Sequence, residues 1–308
     1  MATSFIGDAK NCFKCRFCKV CLGRGCIGEM PGMGGVNNSE NFLLNCGGWD
    51  NISLPAGQSC NSVSAENLGI APVTGANQNI GFSNESDFYF PYFLAAHNKG
   101  ISVCVGDGAP DEKLKLGLSA VQKIGTKAYF FLKPYPNERL FERIDWVCNS
   151  ACAIGIDIDA YNIVSMRNQA KLEKKTAAQL QEFRKYSKLP LIIKGVFTEE
   201  DIELCELVKP EIIVVSNHGG RVQTETSSTA DFLQKNAAIL KSCCSELWVD
   251  GGIRKKRDIQ VAMQLGATKC LAARPFIARL CEGIAKNAEN SELAGINSME
   301  NEIQKMLN

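Results

Sequence analysis

Residues 212–221 read IIVVSNHGGR, in which four β-branched residues are followed at once by polar residues and glycines. An apolar run without polar alternation is typical of a strand that is buried on both faces. Segments with helical spacing separate this run from others like it. Seven further runs of strand length recur along the chain: Leu68–Val73, Ile101–Val105, Lys127–Leu132, Ala153–Ile158, Leu189–Ile193, Leu247–Val249 and Lys269–Ala272.

The alternation of strands and helices indicates the fold class. Eight such pairs over roughly 220 residues predict an α/β protein with a (β/α)8 TIM barrel. A doubly wound open sheet is the structural alternative, because alternation alone does not show closure. We expect the Gly-, Ser- and Asn-rich residues 45–65 to be irregular and the polar stretch Asn287–Asn308 to form a peripheral helix.

Composition excludes several classes of protein. The chain has 308 residues, of which 45% are hydrophobic and 22% charged, with a net charge of +1. Disorder requires lower hydrophobicity and higher net charge, and a near-neutral balance gives no electrostatic reason to expect a nucleic acid partner. The sequence contains neither an apolar run long enough for a membrane span nor a secretory signal at its start. We therefore expect a cytoplasmic globular protein without a membrane partner.

Polar residues follow the predicted strands directly. In a barrel, catalytic groups lie where strands end, and the loops after strands seven and eight commonly bind phosphate. Arg254 and Arg274 follow those two strands, and the pair Gly251-Gly252 can expose backbone N–H groups. Turn chemistry and surface solvation explain each of these residues singly. Their matching positions on consecutive strands favour a phosphate-bearing ligand.

His218 is the candidate catalytic base. It follows a buried strand directly and is flanked by glycines, whereas the only other histidine, His97, lies in a predicted helix end and is interpreted as structural. An imidazole suits proton transfer at neutral pH. A carboxylate beside it would fix its tautomer, and Asp159 is the candidate for that role.

These residues resemble the FMN-dependent α-hydroxy acid oxidases and dehydrogenases, the family of glycolate oxidase, lactate oxidase and flavocytochrome lactate dehydrogenases. The resemblance is carried by LPLIIKG, IIVVSNHGGR, VDGGIR and ARPF between Leu189 and Phe276, and more weakly by Gly69–Val73. The segment from Cys15 to Gly35 is similar to a Cys-rich leader of a bacterial branch.

The resemblance implies a cofactor, FMN, and a reaction, the oxidation of a small (S)-2-hydroxy acid to a 2-oxo acid. It implies His218 as base, Asp159 as its partner, Arg221 as substrate carboxylate anchor and Lys194 as partner of the reduced flavin. It also implies a homo-oligomer, and an electron acceptor that is either O2 or a redox partner. The implied FMN contacts are Pro72, Val73, Asp157, Lys194, Ser216, Asp250, Gly251, Gly252, Ile253, Arg254, Ala273 and Arg274.

The chain departs from the family pattern at positions that concern the substrate. Lys133 stands where the family has a tyrosine, and Asp157 matches the family's flavin-contacting threonine. Thr224 replaces an acid and Ala273 a glycine, while Arg167 is the candidate for a second carboxylate-binding arginine. These departures leave the implied FMN site largely intact and concern the substrate and turnover.

The N-terminal cysteines indicate separate chemistry. Residues 1–40 are interpreted as a Cys-rich segment preceding a barrel over residues 41–308. Closely spaced thiolates suit an iron–sulfur cluster or a zinc ion, although free thiols or a redox disulfide remain equally open. A cluster would favour a dehydrogenase over an oxidase. The candidate ligands are Cys15, Cys18, Cys21 and Cys26.

Two other functions remain open from the sequence. One is another FMN-barrel chemistry such as that of type 2 isopentenyl-diphosphate isomerase, against which the SNHGGR motif argues. The other is a flavin- or metal-binding redox sensor without turnover, which the Lys133 and Thr224 departures motivate.

Overall fold

The computed structural model describes residues 40–53, 62–163, 170–222, 224–287 and 289–308. The Cys-rich segment, including the four predicted metal ligands, lies outside these residues, as does Arg167. The metal or cluster at Cys15, Cys18, Cys21 and Cys26 therefore stays a prediction, and so does the division of the chain at residue 40.

Eight parallel strands form the centre of the fold, in the order β1-β8-β7-β6-β5-β4-β3-β2. A backbone bridge between Gly69 and Ser102 joins the two ends of this order. The Ile70 amide donates to the Ser102 carbonyl at 3.0 Å, and the Ser102 amide donates to the Leu68 carbonyl at 3.0 Å. The sheet therefore closes, so the predicted barrel is confirmed and the open sheet is excluded. The strands are β1 Leu68–Ile70, β2 Cys104–Gly106, β3 Ala128–Leu132, β4 Ala151–Asp157, β5 Leu191–Val196, β6 Ile212–Val215, β7 Glu246–Asp250 and β8 Lys269–Ala272.

Helices surround the barrel and bury apolar side chains against the strands and against one another. A large apolar cluster lies between the helices and the barrel, and a smaller one, including Phe131, Ile192 and Trp248, fills the barrel interior. The helices are α1 Glu40–Asn51, α2 Ser86–Asn98, α3 Glu112–Ile124, α4 Asn137–Val147, α5 Ala177–Ser187, α6 Glu199–Val208, α7 Thr229–Cys243, α8 Lys256–Gln264, α9 Arg274–Lys286 and α10 Ser291–Leu307.

The C-terminal helix forms as predicted, whereas part of the segment predicted to be irregular is helical. Helix α10 forms as expected and buries Met299, Ile303 and Met306 against the rest of the fold. Residues 45–51, expected to be irregular, instead belong to helix α1. That expectation was wrong because the poor helix formers in this segment are held by tertiary contacts, which override propensity.

The cysteines in the described part of the chain differ in burial, and Cys46 and Cys152 are exposed. Cys104, Cys205 and Cys270 are all buried with free thiols, and burial raises the pKa of each thiol. Within the described ranges, no helix is long and apolar enough to cross a membrane.

Candidate active site

His218 lies directly after β6, where the chain turns sharply. Its φ of 55° is in the left-handed region, which is uncommon for a residue with a side chain and often marks a functional position. The Asn217 side chain accepts a hydrogen bond from the Gly220 amide at 2.9 Å. The His218 amide donates to Ser216 Oγ at 3.1 Å. This turn therefore fixes the direction in which the imidazole projects.

The imidazole contacts a carboxylate through its Nδ1 atom. Nδ1 lies 2.8 Å from Asp159 Oδ1 and 2.9 Å from Oδ2. Gly195 makes room for this carboxylate, because a Cβ at that position would lie 2.4 Å from Asp159 Cγ. The Asp159–His218 pair predicted from the sequence is thus in contact.

A second buried carboxylate, Asp157, lies between two lysines. Its Oδ2 is 2.7 Å from Lys133 Nζ and its Oδ1 is 3.3 Å from Lys194 Nζ. His218 Nε2 is 3.5 Å from the same Oδ2. Burial alone would raise the pKa of Asp157, but the nearby Lys133, Lys194 and His218 outweigh it and hold this pKa well below its usual range.

Lys194 connects this cluster to the next strand. Its Nζ lies 3.4 Å from Asp250 Oδ2 and donates to Ser216 Oγ at 3.3 Å. Burial would lower the pKa of Lys194, yet Asp157, Asp250 and Asp159 together raise it above its usual value. The raised pKa of Lys194 and the lowered pKa of Asp157 mean that both groups are charged at neutral pH.

A pocket opens above this charged cluster at the carboxyl ends of the strands. Basic residues from several strands line it, together with His218 and the Gly251-Gly252 turn. Most of the predicted site residues are among its lining: Pro72, Val73, Lys194, His218, Arg221, Asp250, Gly251, Gly252, Ile253, Arg254, Ala273 and Arg274. The chain thus brings one imidazole and several cations to one rim.

Three predicted residues, Asp157, Asp159 and Ser216, lie beneath this lining. Asp157 was predicted as a flavin contact, but its oxygens face Lys133 and Lys194. Asp159 contacts His218, and Ser216 contacts Lys194 and the His218 amide. All three support the side chains that line the pocket.

Sequence reasoning missed the contribution of α1 to this rim. Asn45 Nδ2 donates to Asn217 Oδ1 at 2.8 Å, and Trp49 Nε1 donates to the Gly251 carbonyl at 2.8 Å. The ring of Phe42 lies 4.4 Å from the Arg274 guanidinium. No motif marks these contacts, because α1 is distant in sequence from both rim loops.

Three other lining residues were also missed: Gln78, Asn79 and Lys113. Lys113 Nζ donates to Gln78 Oε1 at 3.1 Å. Burial lowers the pKa of Lys113 despite the opposing charge of Glu85. Gln78 and Asn79 come after β1, and Lys113 comes after β2. The general rule that residues after the strands line the rim was the one signal in the sequence that could have predicted their place in the pocket.

We expect Gly252→Ala to destabilise the fold more than the same substitution at another glycine whose backbone is in the left-handed region. A Cβ at Gly252 would lie 1.9 Å from the Asn45 carbonyl oxygen, so α1 must shift. Gly125→Ala is the matched control, because Gly125 has φ +75° against +78° for Gly252 and no atom within 4 Å of the added Cβ. The control should cost about 1–2 kcal/mol from backbone strain alone. Urea unfolding of both variants measures the difference, and equal losses would mean that α1 does not pack tightly on this turn.

The chain is similar in sequence to known enzymes over part of its length. 2-Hydroxyacid oxidase 2 of Rattus norvegicus is 41% identical over 98 residues, which are 32% of this chain and 28% of that protein. L-lactate dehydrogenase (cytochrome) of Saccharomyces cerevisiae is 34% identical over 113 residues, which are 35% of this chain and 19% of that protein. The chain therefore spans less than a third of the length of either relative in these matches.

Solved structures share the barrel. A mandelate oxidase variant with benzoylformic acid superposes with a TM-score of 0.67 at 18% identity, over 91% of this chain and 90% of that one. At this identity the likeness supports the fold alone.

The profile of the family described as FMN-dependent dehydrogenase matches residues 130–307. Because this match covers more than half of the sequence, the chain belongs to the FMN-dependent dehydrogenase family.

Proposed function

We propose that this chain binds FMN at the rim of the barrel and oxidises a small (S)-2-hydroxy acid to a 2-oxo acid. The observation that carries the proposal is the contact between His218 Nδ1 and Asp159 at 2.8 Å, in a pocket that Arg221 also lines. An oriented base that shares a pocket with a guanidinium suits a substrate that carries both a hydroxyl and a carboxylate. The names of the relatives and of the family agree with this reaction class.

The residues at the rim fit FMN. Asp250 Oδ1 is buried and accepts no hydrogen bond from the described residues, so a hydroxyl of the ribityl chain would satisfy it. Arg254 and Arg274 line the same pocket as the Gly251-Gly252 turn and would hold the phosphate. Pro72 and Val73 would lie against the flavin ring. FMN supplies the acceptor for the two electrons and the hydrogen that leave the carbinol carbon.

Side chains of the protein accept the hydroxyl proton and stabilise the charges that develop. Asp159 accepts from Nδ1–H of His218, which leaves Nε2 as the basic atom. His218 Nε2 takes the hydroxyl proton of the substrate while Arg221 holds the carboxylate. Asp159 then stabilises the imidazolium. Lys194, charged and buried between Asp157 and Asp250, would face the edge of the flavin that gains negative charge.

Other properties stay proposals. The substrate is a small 2-hydroxy acid, and the electron acceptor is O2 or a redox partner. The expected homo-oligomer and the cytoplasmic location remain predictions. Named relatives include a peroxisomal (S)-2-hydroxyacid oxidase of Arabidopsis thaliana.

Purified protein tests the proposal through its cofactor content and its product. We expect FMN to be released on denaturation, and a 2-oxo acid to accumulate when an artificial electron acceptor and glycolate, lactate, 2-hydroxybutyrate or mandelate are supplied. Arg221→Leu should raise KM by more than Arg221→Lys does, because lysine retains the charge without the bidentate geometry. FMN without any product from this panel would instead favour the sensor function, and absence of FMN would contradict the proposal.

A further inference from the structure

Lys133 is a charged residue in the interior of the candidate site. It directly follows β3, and its side chain is only 10% exposed. Its backbone amide donates to Asp107 Oδ2 at 3.2 Å, and its Nζ donates to Asp157 Oδ2 at 2.7 Å. Both ends of the residue are therefore fixed, and the ammonium lines the same pocket as His218.

The ammonium lies beside the atom of His218 that would act as base. Lys133 Nζ is 3.3 Å from His218 Nε2. An ammonium donates hydrogen bonds and cannot accept them. This contact therefore requires Nε2 to be the acceptor of the imidazole, which places the ring hydrogen on Nδ1, where Asp159 accepts it at 2.8 Å. Lys133 and Asp159 thus favour the same tautomer from opposite sides of the ring.

Resting on the proposed function, we propose that Lys133 is a catalytic residue whose ammonium hydrogen-bonds the hydroxyl oxygen of the substrate. A hydroxyl that gives its proton to Nε2 must lie about 2.6–3.2 Å from that atom. Because Nζ is only 3.3 Å from Nε2, an oxygen seated on the Lys133 side of Nε2 is also within hydrogen-bond reach of Nζ. One oxygen is then shared between the base and a fixed positive charge.

The step balances with Lys133 keeping all its protons. The O–H bond breaks and its proton goes to His218 Nε2. The C–H bond breaks as the carbon–oxygen double bond forms, and its hydrogen and electron pair would go to FMN, the acceptor in the proposed function. Negative charge that develops on the oxygen during this step is stabilised by the ammonium, whose charge acts more strongly because its side chain is largely buried. Removing one such donor typically costs about 10²–10³ in rate.

Asp157 neutralises the buried ammonium of Lys133. With no substrate bound, its Oδ2 neutralises Lys133 at 2.7 Å, and its Oδ1 lies 3.3 Å from Lys194. The carboxylate therefore holds the ammonium in place through one hydrogen. A substrate oxygen that enters between Nζ and Nε2 replaces the direct contact between these two nitrogens and receives the hydrogen that was directed at Nε2.

The test compares Lys133→Met with Lys175→Met as a matched control. Lys175 is 3% exposed and pairs with Glu173 at 2.8 Å, but it does not line the pocket. Both variants lose a buried, paired ammonium. We expect FMN retention in both, and reduction of the flavin by the best 2-hydroxy acid to be about 10²-fold or more slower only for Lys133→Met. The solvent deuterium isotope effect on that step should also increase, because transfer of the hydroxyl proton becomes harder.

The outcomes separate this inference from the proposed function. If no 2-hydroxy acid reduces the wild-type flavin, the proposed function fails. If wild type is reduced and Lys133→Met slows by less than about tenfold, or slows without a change in the isotope effect, Lys133 is structural and the inference is overturned. Should Lys133→Met lose FMN, Lys133→Gln keeps a donor to Asp157 without the charge and is judged by the same thresholds.

Discussion

Replacing His218 by asparagine is expected to slow reduction of the bound flavin by about 10²–10⁴-fold while FMN is retained. Asparagine suits the position because it tolerates the left-handed backbone at φ 55° better than most residues. The backbone contact from His218 N to Ser216 Oγ can persist. What the variant loses is the Nε2 base.

Anaerobic mixing with substrate measures the reduction rate directly. His97→Asn is the matched control, since His97 is the other histidine and lies exposed in the last turn of α2, away from the pocket. The control should keep the wild-type rate. If the two variants react equally fast, His218 is not the base, and the mechanism proposed here is wrong.

The second large effect concerns stability. Asp157→Asn keeps the shape of the side chain but leaves Lys133 and Lys194 buried without the carboxylate between them. Breaking a buried ion pair from one side costs about 3–5 kcal/mol. Urea unfolding at neutral pH measures the loss. Asp50→Asn, which removes an exposed partner of Lys255, is the control and should change stability far less.

The same variant should change the pH dependence of stability. The pKa of Asp157 is held well below its usual range by Lys133 and Lys194. Its ionised form therefore stabilises the fold above the unfolded-state pKa of about 3.9, and this contribution is lost as the pH falls below that value toward the folded-state pKa. Wild type should lose stability more steeply than Asp157→Asn in acid, so the two should converge below about pH 4. A constant difference across that range would show that the pKa of Asp157 is the same in the folded and unfolded states, which would contradict the lowered pKa.

Much of the fold could be predicted because its signals are local. Doubly buried parallel strands read as continuous Val- and Ile-rich runs, and polar residues directly after them lie at one rim. Helix α1 could not be predicted in this way. Its position depends on Asn45 and Trp49 reaching Asn217 and Gly251, residues far away along the chain.

The details of the charged cluster were also beyond the sequence. Asp157 and Asp159 are two residues apart at the end of one strand, so both could have faced His218. The structure places Asp159 at Nδ1 and Asp157 near Nε2, 3.5 Å away. Lys133 was recognised as unusual, but its contact with His218 depends on how β3 and β6 end across the closed barrel.

The most direct test of the account is an anaerobic titration of the FMN-loaded protein with short 2-hydroxy acids, followed by visible absorption. We expect the oxidised flavin bands to bleach with the (S) form of at least one acid and to return when an acceptor is added. A flavin spectrum that no 2-hydroxy acid bleaches would contradict the assignment of His218, Arg221 and the bound cofactor to hydroxy acid oxidation.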